Sequence, residues 1–119
     1  MAMDIEMYKK FEAIVGKRNI TRDPALLESY RVIPAQSSDH RGPTLVKTPT
    51  PQAVILPETT EEVQAIVRLC NEYGIQFKAS TTFWSVMGYI GSDLSVQLDL
   101  RRMKKFEIDA KNQYAVLEP

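Results

Sequence analysis

Ala53-Val54-Ile55-Leu56-Pro57-Glu58-Thr59-Thr60-Glu61-Glu62-Val63, running on to Asn71-Glu72-Tyr73-Gly74-Ile75, is the stretch that decides the fold. Its first four residues are apolar and end at a proline, which reads as a short buried strand. Thr59 and Glu62 stand three apart at the start of a periodic run, the signature of a capping box. Val63, Ile66, Val67 and Cys70 then form one stripe at helical spacing. Glu61, Gln64, Arg68, Asn71 and Glu72 form the solvated side, and Gly74 is a stop. The pattern predicts a helix over about 60–73. A second strand follows over Ile75–Ala79, then a loop of small and aromatic residues from Ser80 to Asp93. A third strand spans Leu94–Asp99. The unit is βαβ, and its crossover is right-handed if the two strands are parallel. A second strand that empties at once into a long loop is a common way to hold a phosphorylated ligand.

On the C-terminal side, Phe106–Asp109 and Tyr114–Leu117 both alternate, with Ala110-Lys111-Asn112-Gln113 between them, a hairpin pattern. The chain then ends on Leu117-Glu118-Pro119, in what reads as the middle of a sheet. On the N-terminal side, Ile5, Tyr8, Phe11, Ile14 and Val15 share a helical spacing, with Gly16 as the stop. Asp23-Pro24 signals a second short helix, since aspartate caps and proline suits the first helical position. Ile33 to Pro51 carries Pro34, Gly42, Pro43, Pro49 and Pro51 and has no period, so it is read as an irregular connector. The predicted class is α+β: N-terminal helices and a connector over 1–50, then a βαβ subdomain with a small mixed sheet over 51–119.

Composition sets limits on function. With 119 residues the chain holds one domain at most, and a large cofactor cleft plus a substrate pocket would strain its core. Lys+Arg and Asp+Glu are both 15, so the formal net charge is zero. That argues against nucleic acid as the main partner, because phosphate backbones demand a basic surface. Cys70 is the single cysteine. It lies on the apolar face of the long helix and reads as a small core residue rather than a reactive thiol, in keeping with a reducing compartment. No run is long enough to span a membrane, and the acidic Met1-Ala2-Met3-Asp4-Ile5-Glu6 is unlike a secretory signal. The cytoplasm is the expected setting.

Several chemistries lack their parts. One histidine and one cysteine cannot build a metal constellation. His40 falls in the connector and reads as a solvated loop histidine rather than a catalytic or flavin-linked one. Ser85 has no Gly-x-Ser-x-Gly frame, and neither a Walker lysine nor a Gly-x-Gly-x-x-Gly motif is present. Arg101-Arg102-Met103-Lys104-Lys105 is read as a solvated turn rather than an anion site. The loop starting at Ser80 carries the functional signal. Ser80, Thr81, Thr82 and Ser85 offer hydroxyls beside backbone N–H groups, a set able to receive a diphosphate without a cation. Gly88 and Gly91 permit close backbone approach. Phe83 and Trp84 offer faces for a ring system. The same loop is equally readable as a tight connection around a buried aromatic.

The order of these residues resembles the FAD-linked oxidases of the vanillyl-alcohol oxidase and p-cresol methylhydroxylase type. The nearest likeness is to the branch of glycolate oxidase subunits and D-lactate dehydrogenases. The likeness rests on Ile14-Val15-Gly16-Lys17, Asp23-Pro24, Leu27 and Tyr30, then Pro51-Gln52-Ala53-Val54-Ile55-Leu56-Pro57. It continues through Thr59-Thr60-Glu61-Glu62-Val63, Asn71-Glu72-Tyr73-Gly74-Ile75, Val96-Gln97-Leu98-Asp99-Leu100-Arg101-Arg102-Met103 and Phe106-Glu107-Ile108-Asp109. It covers nearly the whole chain. The family usually carries arginine-glycine-x-glycine-threonine/serine after the second strand, around the FAD diphosphate. Here those positions hold Ser80, Thr81, Thr82, Phe83, Trp84 and Ser85, and only Ser85 and Gly88 keep the family's type.

The resemblance implies FAD as cofactor, with Ser80, Thr81, Thr82, Phe83, Trp84, Ser85 and Gly88 at the diphosphate and Pro57 and Ile55 near the adenosine end. It also implies that these residues open a longer flavoenzyme, oxidising a 2-hydroxy acid by hydride transfer to the flavin, with no catalytic base among them. The partner would be the remainder of that enzyme, or a second copy joined through open sheet edges. The rival reading is a non-catalytic assembly module whose cofactor loop has drifted.

Overall fold

The structure is a computed structural model and describes residues 3–31, 49–82 and 95–119. In chain order the elements are α1 (Ile5–Val15), β1 (Ile20–Thr21), α2 (Pro24–Ser29), β2 (Val54–Ile55), α3 (Thr60–Tyr73), β3 (Gln76–Ser80), β4 (Ser95–Asp99), β5 (Phe106–Asp109) and β6 (Tyr114–Leu117). Single 3₁₀ turns lie at Lys17–Asn19 and Leu100–Arg102.

Local chemistry starts and stops each helix. Asp23 accepts from the N–H groups of Ala25 (2.9 Å) and Leu26 (3.1 Å), with Pro24 in the first turn of α2. Thr59 Oγ1 accepts from Glu62 N at 3.1 Å. Glu62 reaches back in return, but to Glu58 N at 2.7 Å rather than to Thr59. The box is therefore closed one residue early: Thr59 satisfies one orphan donor of the first turn, and Glu62 ties down the residue before the cap. Gly74 ends α3 in the left-handed region at φ 64, where a glycine carries no Cβ penalty.

The sheet runs β1-β2-β4-β3. β1 is antiparallel to β2, whereas β2 and β3 each lie parallel to β4. The sheet is therefore mixed, as the sequence pattern predicts, with two differences. The strands flanking α3 are not neighbours, because β4 inserts between them. And β1 is an extra strand: two residues are too short to show an alternation that sequence could reveal. Ser80, expected as the first loop residue, is the last residue of β3 and stands opposite Asp99.

One face of this sheet is the core. Phe11 and Val15 of α1, and Ile66 and Cys70 of α3, pack on Ile55, Val96 and Leu98. Each large side chain so buried contributes roughly 1.5–3 kcal/mol. Burial pushes the Cys70 thiol up to about 11, so it stays protonated and inert. The predicted solvated side of α3 is exposed at all five positions. β5 and β6 form a separate two-stranded antiparallel sheet, the predicted hairpin. Among the described residues, no helix is long and apolar enough to cross a membrane.

Candidate functional site

Because β2, β3 and β4 are parallel, their carboxyl ends open on one edge of the sheet. Ligands of parallel sheets collect outside that edge, where loops leave the strands and backbone donors are free. Here the edge is formed by Leu56 and Pro57 after β2, by Ser80, Thr81 and Thr82 at the end of β3, and by Asp99 to Met103 after β4.

Asp99 organises the edge. It has no solvent exposure. One carboxylate oxygen accepts from Arg101 N at 3.0 Å and so caps the 3₁₀ turn. The other accepts from Tyr30 Oη at 2.7 Å and pairs with the Arg101 guanidinium at 2.6 Å. Arg101 also donates to Tyr30 Oη at 3.3 Å, closing a three-membered network. Burial, and then the hydrogen bond to Asp99, push the Tyr30 phenol up to about 12. The bond to Asp99 also raises Arg101 above its ordinary value, so the guanidinium is firmly charged. Arg102 ties β4 to β2. It donates to Leu56 O at 2.8 Å and pairs with Glu58 at 2.6 Å.

A groove of about 370 Å³ opens beside this network. Thr81 and Thr82 line it together with Lys104, Lys105, Phe106 and Leu117. Its size falls in the range of small-ligand pockets, roughly 300–1,000 Å³. Hydroxyls, ammonium groups and apolar surface suit an anionic ligand that also carries a flat ring.

The residues predicted for the site fall into three groups. Thr81 and Thr82 reach the groove directly. Ser80 stands behind them, and its hydroxyl accepts from Gln97 Nε2 at 2.6 Å. Ile55 and Pro57 are fully buried and shape the edge by packing. Phe83, Trp84, Ser85 and Gly88 lie outside the described residues, as do Gly91 and His40. The basic stretch, read as a solvated turn, divides. Arg101 and Arg102 are structural pairs and Met103 is buried, while Lys104 and Lys105 are exposed on the groove wall.

Sequence reasoning singled out neither Asp99 nor Tyr30 for this edge. Asp99 follows Ser95 and Gln97 on the side of β4 turned away from the core, which alternation alone reads as solvated. In fact all three are buried. Tyr30 lies 69 positions from Asp99, and no local pattern could announce the pair.

Comparison with known proteins supplies the family. Residues 51–119 match the family model described as FAD binding domain. The flavoprotein subunit of 4-cresol dehydrogenase [hydroxylating] from Pseudomonas putida is 33% identical over 119 residues, covering 93% of this chain and 21% of that protein. An uncharacterised FAD-linked oxidoreductase of Mycobacterium tuberculosis is 29% identical, over 96% of this chain and 24% of its own length. Among solved structures, 4-ethylphenol oxidase from Gulosibacter chungangensis matches with a TM-score of 0.71 and 31% identity, over 98% of this chain and 23% of that one. Substrate-bound p-cresol methylhydroxylase matches at 0.70 and 26% identity, over 87% of this chain and 20% of the other. The chain thus spans between a fifth and a quarter of the relatives it matches. The parallel edge, the mixed sheet and the match over more than half of the sequence lead to one conclusion: this chain belongs to the FAD-binding-domain family of FAD-linked oxidoreductases, of the p-cresol methylhydroxylase type.

Proposed function

We propose that these residues form the diphosphate-holding part of an FAD-linked oxidoreductase. FAD is the cofactor of the family to which the chain belongs. The observation that carries the reading is that Thr81, Thr82, Lys104 and Lys105 line one groove at the carboxyl ends of parallel strands. The donor set fits the phosphate end of that cofactor, combining neutral O–H groups with cations. Phe106 and Leu117 add apolar surface, being 65% and 70% exposed. When bound, FAD supplies an acceptor for a hydride. This chain's own residues bind and orient. Asp99, Tyr30 and Arg101 hold the exit of β4, Arg102 holds the exit of β2, and Ser80 is held by Gln97. None of them is positioned as a base.

The substrate belongs to the whole enzyme. The sequence resemblance suggested a 2-hydroxy acid, but the two relatives above 30% identity that carry a substrate in their names act on 4-cresol and 4-ethylphenol. We therefore favour a 4-alkylphenol as the substrate class. The exposed apolar hairpin supports further protein packing here, and a free, buried Cys70 suits a reducing cytoplasmic setting.

Two measurements test this reading. Titrating the chain into FAD should quench flavin fluorescence saturably, and a flat titration would remove the cofactor from these residues. Anaerobic bleaching of flavin in the whole enzyme by 4-cresol, and not by lactate or glycolate, separates the two substrate classes.

A further inference from the structure

From Ser80 to Ser92 the sequence contains no lysine, arginine or histidine. Its contribution to a phosphate-bearing ligand is limited to neutral donors. Taking a diphosphate out of bulk water with neutral donors alone is costly, and hydrogen bonds from a cation are about twice as strong. Among the described residues lining the groove, the cations come from the segment after β4. Of the four at 101–105, two are already neutralised: Arg101 by Asp99 and Arg102 by Glu58, both at 2.6 Å. Lys104 and Lys105 are exposed and make no ion pair among the described residues.

Their position is nonetheless fixed. Met103, immediately before them, is buried. The Lys105 backbone is held twice by Glu118: its N–H donates to Glu118 Oε2 at 2.8 Å, and its carbonyl accepts from Glu118 N at 2.9 Å. Glu118 is the one acidic side chain among the described residues lining the groove, and its carboxylate is engaged by that backbone N–H. The main chain is anchored while both ammonium groups stay available to a ligand.

We infer that Lys104 and Lys105 are the cationic half of a diphosphate site whose neutral half is Thr81 and Thr82, so that the charge absent from the loop after β3 is supplied from the segment after β4. The ligand class is a pyrophosphate or nucleoside diphosphate. As applied to FAD, the inference rests on the reading proposed above.

The test is calorimetric titration of the 119-residue chain with FAD, ADP and inorganic pyrophosphate at low and high salt. Lys104→Gln and Lys105→Gln should each weaken all three ligands by about tenfold or more, as expected for lost bonds to a charged group. The double variant should also lose most of the salt dependence. The Lys104→Arg/Lys105→Arg variant should retain binding, and Lys111→Gln, on the hairpin turn, should leave it unchanged. Circular dichroism confirms that each variant keeps its fold. If the double Gln variant binds FAD as tightly as the parent, the inference is overturned while the flavin reading stands. If ADP and pyrophosphate bind through the lysines but FAD does not, the inference holds and the flavin reading fails for this chain. If none of the three ligands binds the parent chain, the inference is overturned.

Discussion

Asp99 is the one charged side chain that the described residues bury completely. A carboxylate in that position is tolerated because both of its oxygens find partners. Those partners are a backbone N–H, a phenol and a guanidinium. Removing the carboxylate therefore costs more than the bonds it makes, since Tyr30 and Arg101 lose their acceptor as well. Asp99→Ala is expected to destabilise by roughly 2–4 kcal/mol, the loss of hydrogen bonds to a charged acceptor, since Arg101 is 58% exposed at its side chain and is rehydrated. Tyr30→Phe removes one bond to a charged acceptor and is expected to cost about 1.5–3 kcal/mol. Urea midpoints of the two variants decide between these magnitudes. The same network predicts a pH response. The folded phenol is pushed up to about 12, from an ordinary value of 10.0. Between these values the folded chain holds a proton that the unfolded chain has released, so stability must fall as pH rises. The contribution is fully present below the ordinary phenol value and is lost as pH climbs through about 12. Tyr30→Phe should flatten that alkaline slope. An unchanged slope in the variant would show that Tyr30 does not titrate as a member of this network.

At the scale of elements, α3 is the best-specified piece of the molecule. Thr59→Ala should cost about 1 kcal/mol through the lost bond to Glu62 N, and Thr59→Ser should be nearly neutral. The turn of the hairpin is specified less well. Asp109 accepts from Asn112 N and Nδ2 at 2.9 and 2.8 Å, and these bonds hold its carboxyl below the ordinary carboxylate value. Yet Gln113 adopts φ 57, the one positive φ outside glycine among the described residues. Gln113→Gly should therefore strengthen the hairpin by about 1 kcal/mol, read as slower amide exchange in β5 and β6. Faster exchange in that variant would mean that Gln113 is held by side-chain contacts which outweigh its backbone strain. These contrasts mark what sequence could show. Caps and stripes are local, and Asp23-Pro24, Thr59-x-x-Glu62 and Gly74 could each be read directly. The insertion of β4 between β2 and β3 could not. It depends on pairing across the 81–94 connection, and periodicity within a strand is silent about its neighbour. β1, with two residues, has no periodicity at all.

For the whole molecule, the proposed site is half legible in sequence for the same reason. Thr81 and Thr82 could be named because they follow a strand directly. Lys104 and Lys105 read as ordinary wet surface, since they come to one groove with the threonines only when β3 and β4 lie in register. Exposure is equally a property of the assembled chain. The core unites α1 and α3 with residues of β1, β2 and β4, while the hairpin forms a separate sheet. Cross-strand partners share a face, so Phe106 with Leu117 and Ile108 with Ala115 make one side of the hairpin wholly apolar. Phe106, Ile108 and Leu117 are 65–70% exposed. A two-stranded sheet with no cover is marginal in water, whereas β4 is buried at every position and carries a strand on each side. The two should not open together. Native-state hydrogen exchange at low protein concentration should find the β5 and β6 amides exchanging at least about 100-fold faster than those of β4, equivalent to an opening free energy lower by about 2.7 kcal/mol. Covering the apolar side with the rest of the enzyme, or with a second copy at high concentration, should close most of that gap. Ile108→Lys should abolish the concentration dependence and leave β4 untouched. Equal protection in β4 and the hairpin of the dilute chain would mean that both belong to one cooperative unit, and that the apolar side needs no partner to hold it.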